Sequence, residues 1–252
     1  MDYKVLFQHY RTIAYERVNP GGVEGFEEAI RTTDPTYGRL LPVDLEARIL
    51  DIGCGMGHFL YYLKAKGYHN IMGVDVSPEQ VAYCQEFVLP QVQLTPDLVS
   101  FLGERPSHWD CIVMKDVIEH LPRKEIIPTL AAVHDALATG GTLLIETGNM
   151  ASATGLFVRY IDFTHECGFT ENSLRQVLRA VGFTETQVMS PSPVIYSWRS
   201  RLRVLAQRLW EWCVRMVYRL ERGDAAPRVL SNLLIACARK AGRQERLRLP
   251  VR

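Results

Sequence analysis

Apolar positions along the chain fall into short runs separated by stretches of helical spacing, and this unit recurs. Ile49, Leu50 and Ile52 form a tight run, followed by a glycine cluster and helix-forming residues over 57–66. That order predicts a buried parallel strand, a glycine turn and a helix start. Residues 70–75 read as a second strand ending in Asp75. Ser77-Pro78-Glu79-Gln80 then opens a helix, with Ser77 as N-cap, Pro78 at the first helical position and Gln80 closing a capping box. A weak third strand is expected at 91–94 and a central apolar strand at 111–114. A helix over 124–138 stops at Gly140-Gly141 as a glycine C-cap, and a fifth strand covers 142–147. Residues 171–181 form the next helix, Gly182-Phe183 opens strand six, and 229–238 is the last strand. The repeated strand–helix order predicts an α/β fold with a Rossmann-like, doubly wound sheet.

Both flanks are helical. Residues 7–17 and 23–31 read as helices broken by Asn19-Pro20-Gly21-Gly22. After the break at Ser190-Pro191-Ser192-Pro193, a long helix spans 197–222. In it Trp198, Leu202, Leu205, Leu209, Trp212, Met216 and Leu220 recur every three or four residues, and Arg201, Arg208, Arg215 and Arg222 every seven on another face. The expected organisation is an N-terminal helical cover (1–47), a core (48–190), an amphipathic basic insertion (191–228), the last strand (229–241) and a tail (242–252).

Charge changes this picture more than composition does. The formal net charge is +1, yet residues 199–252 carry 14 basic against 4 acidic groups, and the rest carries 15 against 24. A basic, aromatic-striped helix suits the headgroup region of an anionic membrane, and equally suits packing on the body or on a second subunit. No nucleic acid is expected, since the aromatics lie in the apolar stripe and not among the arginines as stacking platforms would. Oligomeric state is not legible. The six cysteines show no metal-ligand spacing and no paired framework, which points to reduced thiols and a cytoplasmic protein, with attachment to the inner face of the membrane as an option. The start has no apolar signal segment, and no run approaches membrane-spanning length.

The chemistry gathers at the first glycine turn. Glycines at 53, 55 and 57 expose main-chain N–H groups to a ligand. A dinucleotide fingerprint would need glycine at 58, where His58 stands, and Asp51 opening the turn favours a cationic ligand over a pyrophosphate. Asp75 lies 24 positions beyond Asp51, where such folds place a ribose-binding carboxylate.

With this turn, Asp75, the block Lys115-Asp116-Val117-Ile118-Glu119-His120-Leu121 and the segment 160–170, the chain resembles class I S-adenosylmethionine-dependent methyltransferases across 49–183. Within them it is most similar to O-methyltransferases of small molecules, glycans or quinones. The resemblance implies seven strands, the last antiparallel beside the sixth, and S-adenosylmethionine as cofactor. The cofactor would be held by Asp51, Gly53, Cys54, Gly55, Gly57, His58, Asp75 and Val76, by Asp97 and Leu98 at the adenine, and by Lys115, Asp116, Val117 and His120. Tyr10, Tyr15 or Tyr37 could face the sulfonium. Tyr37, Glu119, Glu146 and Asn149 would line the acceptor pocket. An alcohol acceptor must lose a proton, so His165 is the expected base, oriented by Asp162 or Glu166. No metal cluster is evident, although a metal between Asp162 and His165 stays open. The expected function is O-methylation of a small-molecule or glycan acceptor, lipid-linked or free. The alternatives are a cofactor-binding scaffold without catalysis and, disfavoured by His58, an NAD-dependent oxidoreductase.

Overall fold

All four residues of β1 (Ile49–Ile52) are buried, as a strand with neighbours on both edges and helices on both faces requires. The computed structural model describes residues 5–15 and 20–241, without the side chains of Ala14, Tyr15 and Asp224. In it β1 joins β2 (Ile71–Asp75), β3 (Gln93–Leu94), β4 (Trp109–Lys115), β5 (Leu137–Gly148), β6 (Glu185–Met189) and β7 (Leu233–Arg239). The sheet runs β3-β2-β1-β4-β5-β7-β6. β1 to β5 pair in parallel, and β7 lies antiparallel between β5 and β6.

Alternation along the strands feeds two hydrophobic layers. Leu50, Ile52, Ile112, Met114, Leu143 and Ile145 point to one face, packed beneath α4 (Leu98–Gly103), α5 (Arg123–Ala136) and α7 (Glu171–Ala180). Ile49, Cys111, Val113, Leu144 and Ile235 point to the other, beneath α1 (Gly22–Tyr37), α2 (His58–Ala65) and α3 (Pro78–Phe87). The short α6 (Gly155–Tyr160) follows β5, and α8 (Trp198–Arg222) leaves the sheet between β6 and β7. No helix among the described residues is long and apolar enough to cross a membrane.

Several boundaries differ from those the sequence predicts. The helix expected over 23–31 continues to Tyr37 through Pro35, because Phe26, Ile30 and Tyr37 extend its packed face. The helix expected over 7–17 is one α-turn (Val5–Gln8) and a π-turn (Arg11–Tyr15). Its last two residues, the Tyr15 side chain and the tail 242–252 lie outside the described residues. α5 stops at Ala136 and runs straight into β5, so Gly140 (φ 80°) is a kink within the strand's first half and not a helix cap. There the pairing of β4 with β5 shifts register between Trp109 and Cys111. The Ser77–Gln80 capping box does not form: Ser77 caps α3 by position alone, and its backbone N–H goes to Asp75 Oδ1 at 2.8 Å. β7 begins at Leu233 and not at 229, because the preceding turn is spent on side-chain anchors: the Arg228 and Val229 N–H groups both donate to the Glu171 carboxylate.

Candidate active site

The carboxyl ends of β1, β2, β4 and β5 meet at the glycine turn. Gly53, Gly55 and Gly57 have φ of 71°, 56° and 89°, values that disfavour any side chain. Space forbids one as well: a Cβ on Gly53 would lie 2.3 Å from Val117 Cγ2, and one on Gly57 2.5 Å from Cys84 Sγ. Gly57 is the N-cap of α2, which puts His58 at its first position, Nε2 3.0 Å from the Pro20 carbonyl. Asp75 takes the Gly55 N–H on Oδ2 and the Ser77 N–H on Oδ1, both at 2.8 Å. Close by in sequence, the Ser77 hydroxyl and the Gln80 Nε2 are buried without a hydrogen-bond partner among the described residues.

Acids dominate the floor. Asp51 is buried beneath the turn, with Oδ2 unpartnered among the described residues. Burial pushes its carboxyl up to about 8, with Lys115 opposing and Asp75 adding to the rise. Burial also raises Asp75, against the pull of the Ser77, Gly55 and Val76 N–H groups. Asp116, at φ 52° the strained last step of the β4 end, is pushed to about 7 by burial and then by Glu146. Glu119 reaches about 8, through burial and then Asp116. Against these acids stands Lys115, whose Nζ sits 2.7 Å from Glu146 Oε1. Burial works to lower that ammonium, but Glu146 and Asp116 keep it above its ordinary value. The site therefore holds more buried carboxyl groups than its one lysine neutralises, and suits a ligand that brings positive charge.

Tyr37 and Glu146, expected at the acceptor, are instead turned on each other. The Tyr37 hydroxyl donates to Glu146 Oε2 at 3.1 Å, its ring lies 4.8 Å from Lys115 Nζ, and the side chain is 1% exposed. Together with Lys115 they lock the end of α1 to β4 and β5. Asn149 is likewise committed: its amide donates to the carbonyls of Val229 and Ser231 and accepts the Ala151 N–H. It ties the turn before β7 to the end of β5, and, fully buried, presents no surface to an acceptor. Asp97 caps α4 through Ser100, on an exposed side chain, beside the half-buried Leu98. Val76 is exposed next to Asp75, and Cys54 is a core residue against Gly73.

A hydrogen-bonded chain closes the far wall. The Tyr10 hydroxyl donates to Asp162 Oδ2 (2.6 Å), the Thr164 hydroxyl donates to Asp162 Oδ1 (2.7 Å), and His120 Nδ1 lies 2.9 Å from that Thr164 oxygen. Since the Thr164 proton is given to Asp162, His120 must donate from Nδ1. Phe7 and Tyr10 cover the His120 ring, and burial, then His165, hold it down to about 4. His165 packs edge-on to His120 at 4.7 Å between centroids, with Nδ1 3.1 Å from the Val158 carbonyl. A carbonyl only accepts, so Nδ1 carries the proton and Nε2 is the basic nitrogen. Thus Asp162 orients His120 through Thr164, whereas Val158 orients His165. The Glu166 side chain is exposed and orients neither, its carbonyl accepting from Arg159. Thr164 is the member that sequence reasoning missed, although Asp162-x-Thr164 is an Asx-turn spacing and its N–H does close on Asp162 Oδ1 at 2.8 Å.

The segment carrying Tyr10 bridges the crevice. On the opposite side His9 and Thr12 bond to Glu79 at the start of α3, and Arg11 lies 4.4 Å over the Tyr83 ring.

A family model described as "Methyltransferase domain" matches residues 27–188, which span the glycine turn, Asp75, the β4 end and the His165 loop. The chain belongs to this methyltransferase family. It is an enzyme, its cofactor is S-adenosylmethionine, and the nicotinamide alternative falls away. Among curated proteins, the tRNA U34 carboxymethyltransferase of Pseudomonas fluorescens is 32% identical over 123 residues, and that of Azotobacter vinelandii 32% over 123. These alignments cover 46% of this chain and 37% of each relative's length. Among solved structures, a SAM-dependent methyltransferase from Archaeoglobus fulgidus superposes with a TM-score of 0.60 at 21% identity, over 95% of this chain and 100% of that one. Phosphoethanolamine N-methyltransferase 2 of Haemonchus contortus gives 0.62 at 17%, over 96% of this chain and 60% of that one. These last two likenesses are of fold. The unpartnered Asp51 oxygen, the cradle that a Cβ would fill and the surplus of buried acid all fit a cationic methyl donor lying over the glycine turn.

Proposed function

We propose that this methyltransferase transfers its methyl group to a hydroxyl oxygen of a small-molecule or glycan acceptor, with His165 as the base. The observation that carries the reading is the tautomer of His165, fixed by the Val158 carbonyl so that Nε2 is the nitrogen able to take a proton. When bound, S-adenosylmethionine supplies a methyl group activated by its sulfonium. The glycine turn would let it approach where no Cβ stands, the Gly53, Gly55 and Gly57 N–H groups being already given to the Val74 carbonyl, Asp75 and the Cys54 carbonyl. Asp75 would accept its ribose hydroxyls, and Val76 and Leu98 would flank its adenine. Asp51, Asp116 and Glu119 supply negative charge to the donor side. His165 receives the proton that the acceptor hydroxyl loses as its oxygen bonds to carbon. His120, held neutral by burial, forms an uncharged wall and does not compete for that proton. Tyr10 and Asp162 close the N-terminal segment over the crevice and exclude water from it.

An RNA acceptor is the second reading, favoured by the likeness to the tRNA U34 carboxymethyltransferases. One experiment separates the two. Transfer of labelled methyl from S-adenosylmethionine is measured with hydroxylated saccharides and with tRNA as acceptors, and the modified atom is assigned by NMR. A methyl ether whose formation needs His165 supports the reading. Labelling of tRNA alone, of nitrogen or of a carboxylate, or full turnover by His165→Ala, removes it.

A further inference from the structure

Among the described residues, α8 meets the rest of the protein mainly along one side. Ser200 is buried, Val204, Val214 and Tyr218 are half-buried, the Tyr218 hydroxyl donates to the Ala151 carbonyl (3.1 Å), and Arg215 donates to the carbonyls of Pro227 and Arg228. At 3.6 residues per turn those positions share a side, and the apolar stripe falls on the opposite one. Trp198, Leu205 and Leu209 are 66%, 59% and 63% exposed, and Leu202, Trp212 and Leu220 continue the row. The arginines are therefore not a separate opposite face: Arg201, Arg208 and Arg219 border the stripe on one edge, Arg199 and Arg203 on the other. α8 has seven arginines and two glutamates.

A second apolar patch stands at the mouth of the site. Within residues 156–163, Leu156, Phe157, Tyr160, Ile161 and Phe163 are all exposed, Phe163 at 85%. This stretch alternates with the wall of the crevice: Asp162 and Thr164 face Tyr10 and His120, while Ile161 and Phe163 face outward. The bond from Tyr218 to Ala151 seats the packed side of α8 on the segment that leads into α6, so the two patches are carried by adjoining elements.

We propose that α8 and residues 156–163 form one docking surface for an anionic lipid bilayer, and that the acceptor is an amphiphile drawn from that bilayer, its hydroxyl-bearing head entering beside His165. The acceptor half rests on the oxygen-methylation reading above; the docking half does not. A bilayer is the occupant that matches both chemistries: acyl chains take the leucines and aromatics, and lipid phosphates take the arginines that snorkel along the edges. A second copy of α8 would bring arginine edges against arginine edges, with its two glutamates turned away from the stripe. RNA would satisfy the arginines but offers nothing to Leu202, Leu205 and Leu209.

The test uses the full chain with vesicles of phosphatidylcholine alone or mixed with phosphatidylglycerol, read by flotation and tryptophan emission. Wild type is expected to float with the anionic vesicles, with a blue-shifted emission, and to release at high salt. Leu205→Asp with Leu209→Asp should lower partitioning roughly tenfold or more, Phe157→Ser with Phe163→Ser several-fold, and Arg201→Gln with Arg208→Gln should erase the preference for anionic lipid. Calorimetric binding of S-adenosylmethionine by every variant shows that each is folded and separates this test from the cofactor assignment. Methyl incorporation from a cell lysate should appear in the organic-solvent-extractable fraction; incorporation confined to the aqueous fraction overturns the amphiphilic acceptor while leaving oxygen methylation intact. The docking half is overturned by failure of wild type to bind anionic vesicles, by unchanged binding in the leucine variant, by a lipid-free dimer that the leucine variant dissociates, or by RNA binding lost in the same variants.

Discussion

Gly55 gives its backbone N–H to Asp75 Oδ2 at 2.8 Å, so the turn after β1 and the end of β2 share one carboxylate. The Ser77 N–H holds the other oxygen of Asp75. On the proposed ribose role, Asp75→Ala should weaken S-adenosylmethionine binding roughly a hundredfold or more, since hydrogen bonds to an ionised group contribute about 1.5–3 kcal/mol each. Titration calorimetry measures this, and a loss below tenfold would separate Asp75 from the ribose.

The buried acids predict proton release. Asp51, Asp116 and Glu119 are raised to about 8, 7 and 8, so near neutrality the cofactor-free protein retains protons that a bound cation would expel. Affinity for S-adenosylmethionine should climb between pH 6 and 8, and calorimetry in two buffers of different ionisation enthalpy should show net proton release. Uptake of protons, or none, would contradict the acidic floor as the binding surface.

Stability without cofactor should fall as pH rises from about 5 to 8, because three raised carboxyl groups outweigh one lowered histidine. The raised carboxyl groups bind more protons folded than unfolded, so their contribution is full below about 4 and is lost as pH rises toward 8. His120, lowered to about 4, binds fewer protons folded than unfolded, so its contribution is lost as pH falls from about 6.5 toward 4. Thermal melts from pH 5 to 9 give the curve, and a stability that rises across that range would refute the raised acids.

His165→Ala should cut kcat by about 10²-fold or more with little change in cofactor affinity, the size expected for loss of a general base. Tyr10→Phe should act differently. It removes the donor to Asp162 Oδ2, loosens the N-terminal segment and speeds cofactor release, which stopped-flow displacement would follow.

Asn149→Ala should unfold the protein more readily without touching chemistry. Three hydrogen bonds at a fully buried site are lost and their backbone partners stranded, costing about 2–4 kcal/mol. The Tm should fall by roughly 5–15 °C.

Asn149 also shows where the sequence stops being legible. Strands, glycine turn and helix order follow from local spacing, and those appear where Ile49–Ile52 and Gly53–Gly57 put them. What a polar side chain at a strand end does depends on which distant backbone reaches it. Val229 and Ser231 claim Asn149 from 80 and 82 residues away, and Glu146 claims Tyr37 across 109. The same holds for the two histidines: the pair Asp162 and His165 is near in sequence, yet Asp162 serves His120 through Thr164, a link that only the fold supplies. The capping box at Ser77 fails for a related reason, since Asp75 competes for the Ser77 N–H.

The position of β7 between β5 and β6 fixes an order of events on the ribosome. β6 is made before α8, and α8 before β7, so β6 has no partner in the sheet until the last strand arrives. Throughout that interval the nascent chain presents the open edge of β5 together with the leucine and tryptophan row of α8. Each is a site for wrong pairing or aggregation. The helix whose apolar row stays bare in the finished protein is thus available to a partner before the enzyme that carries it can close.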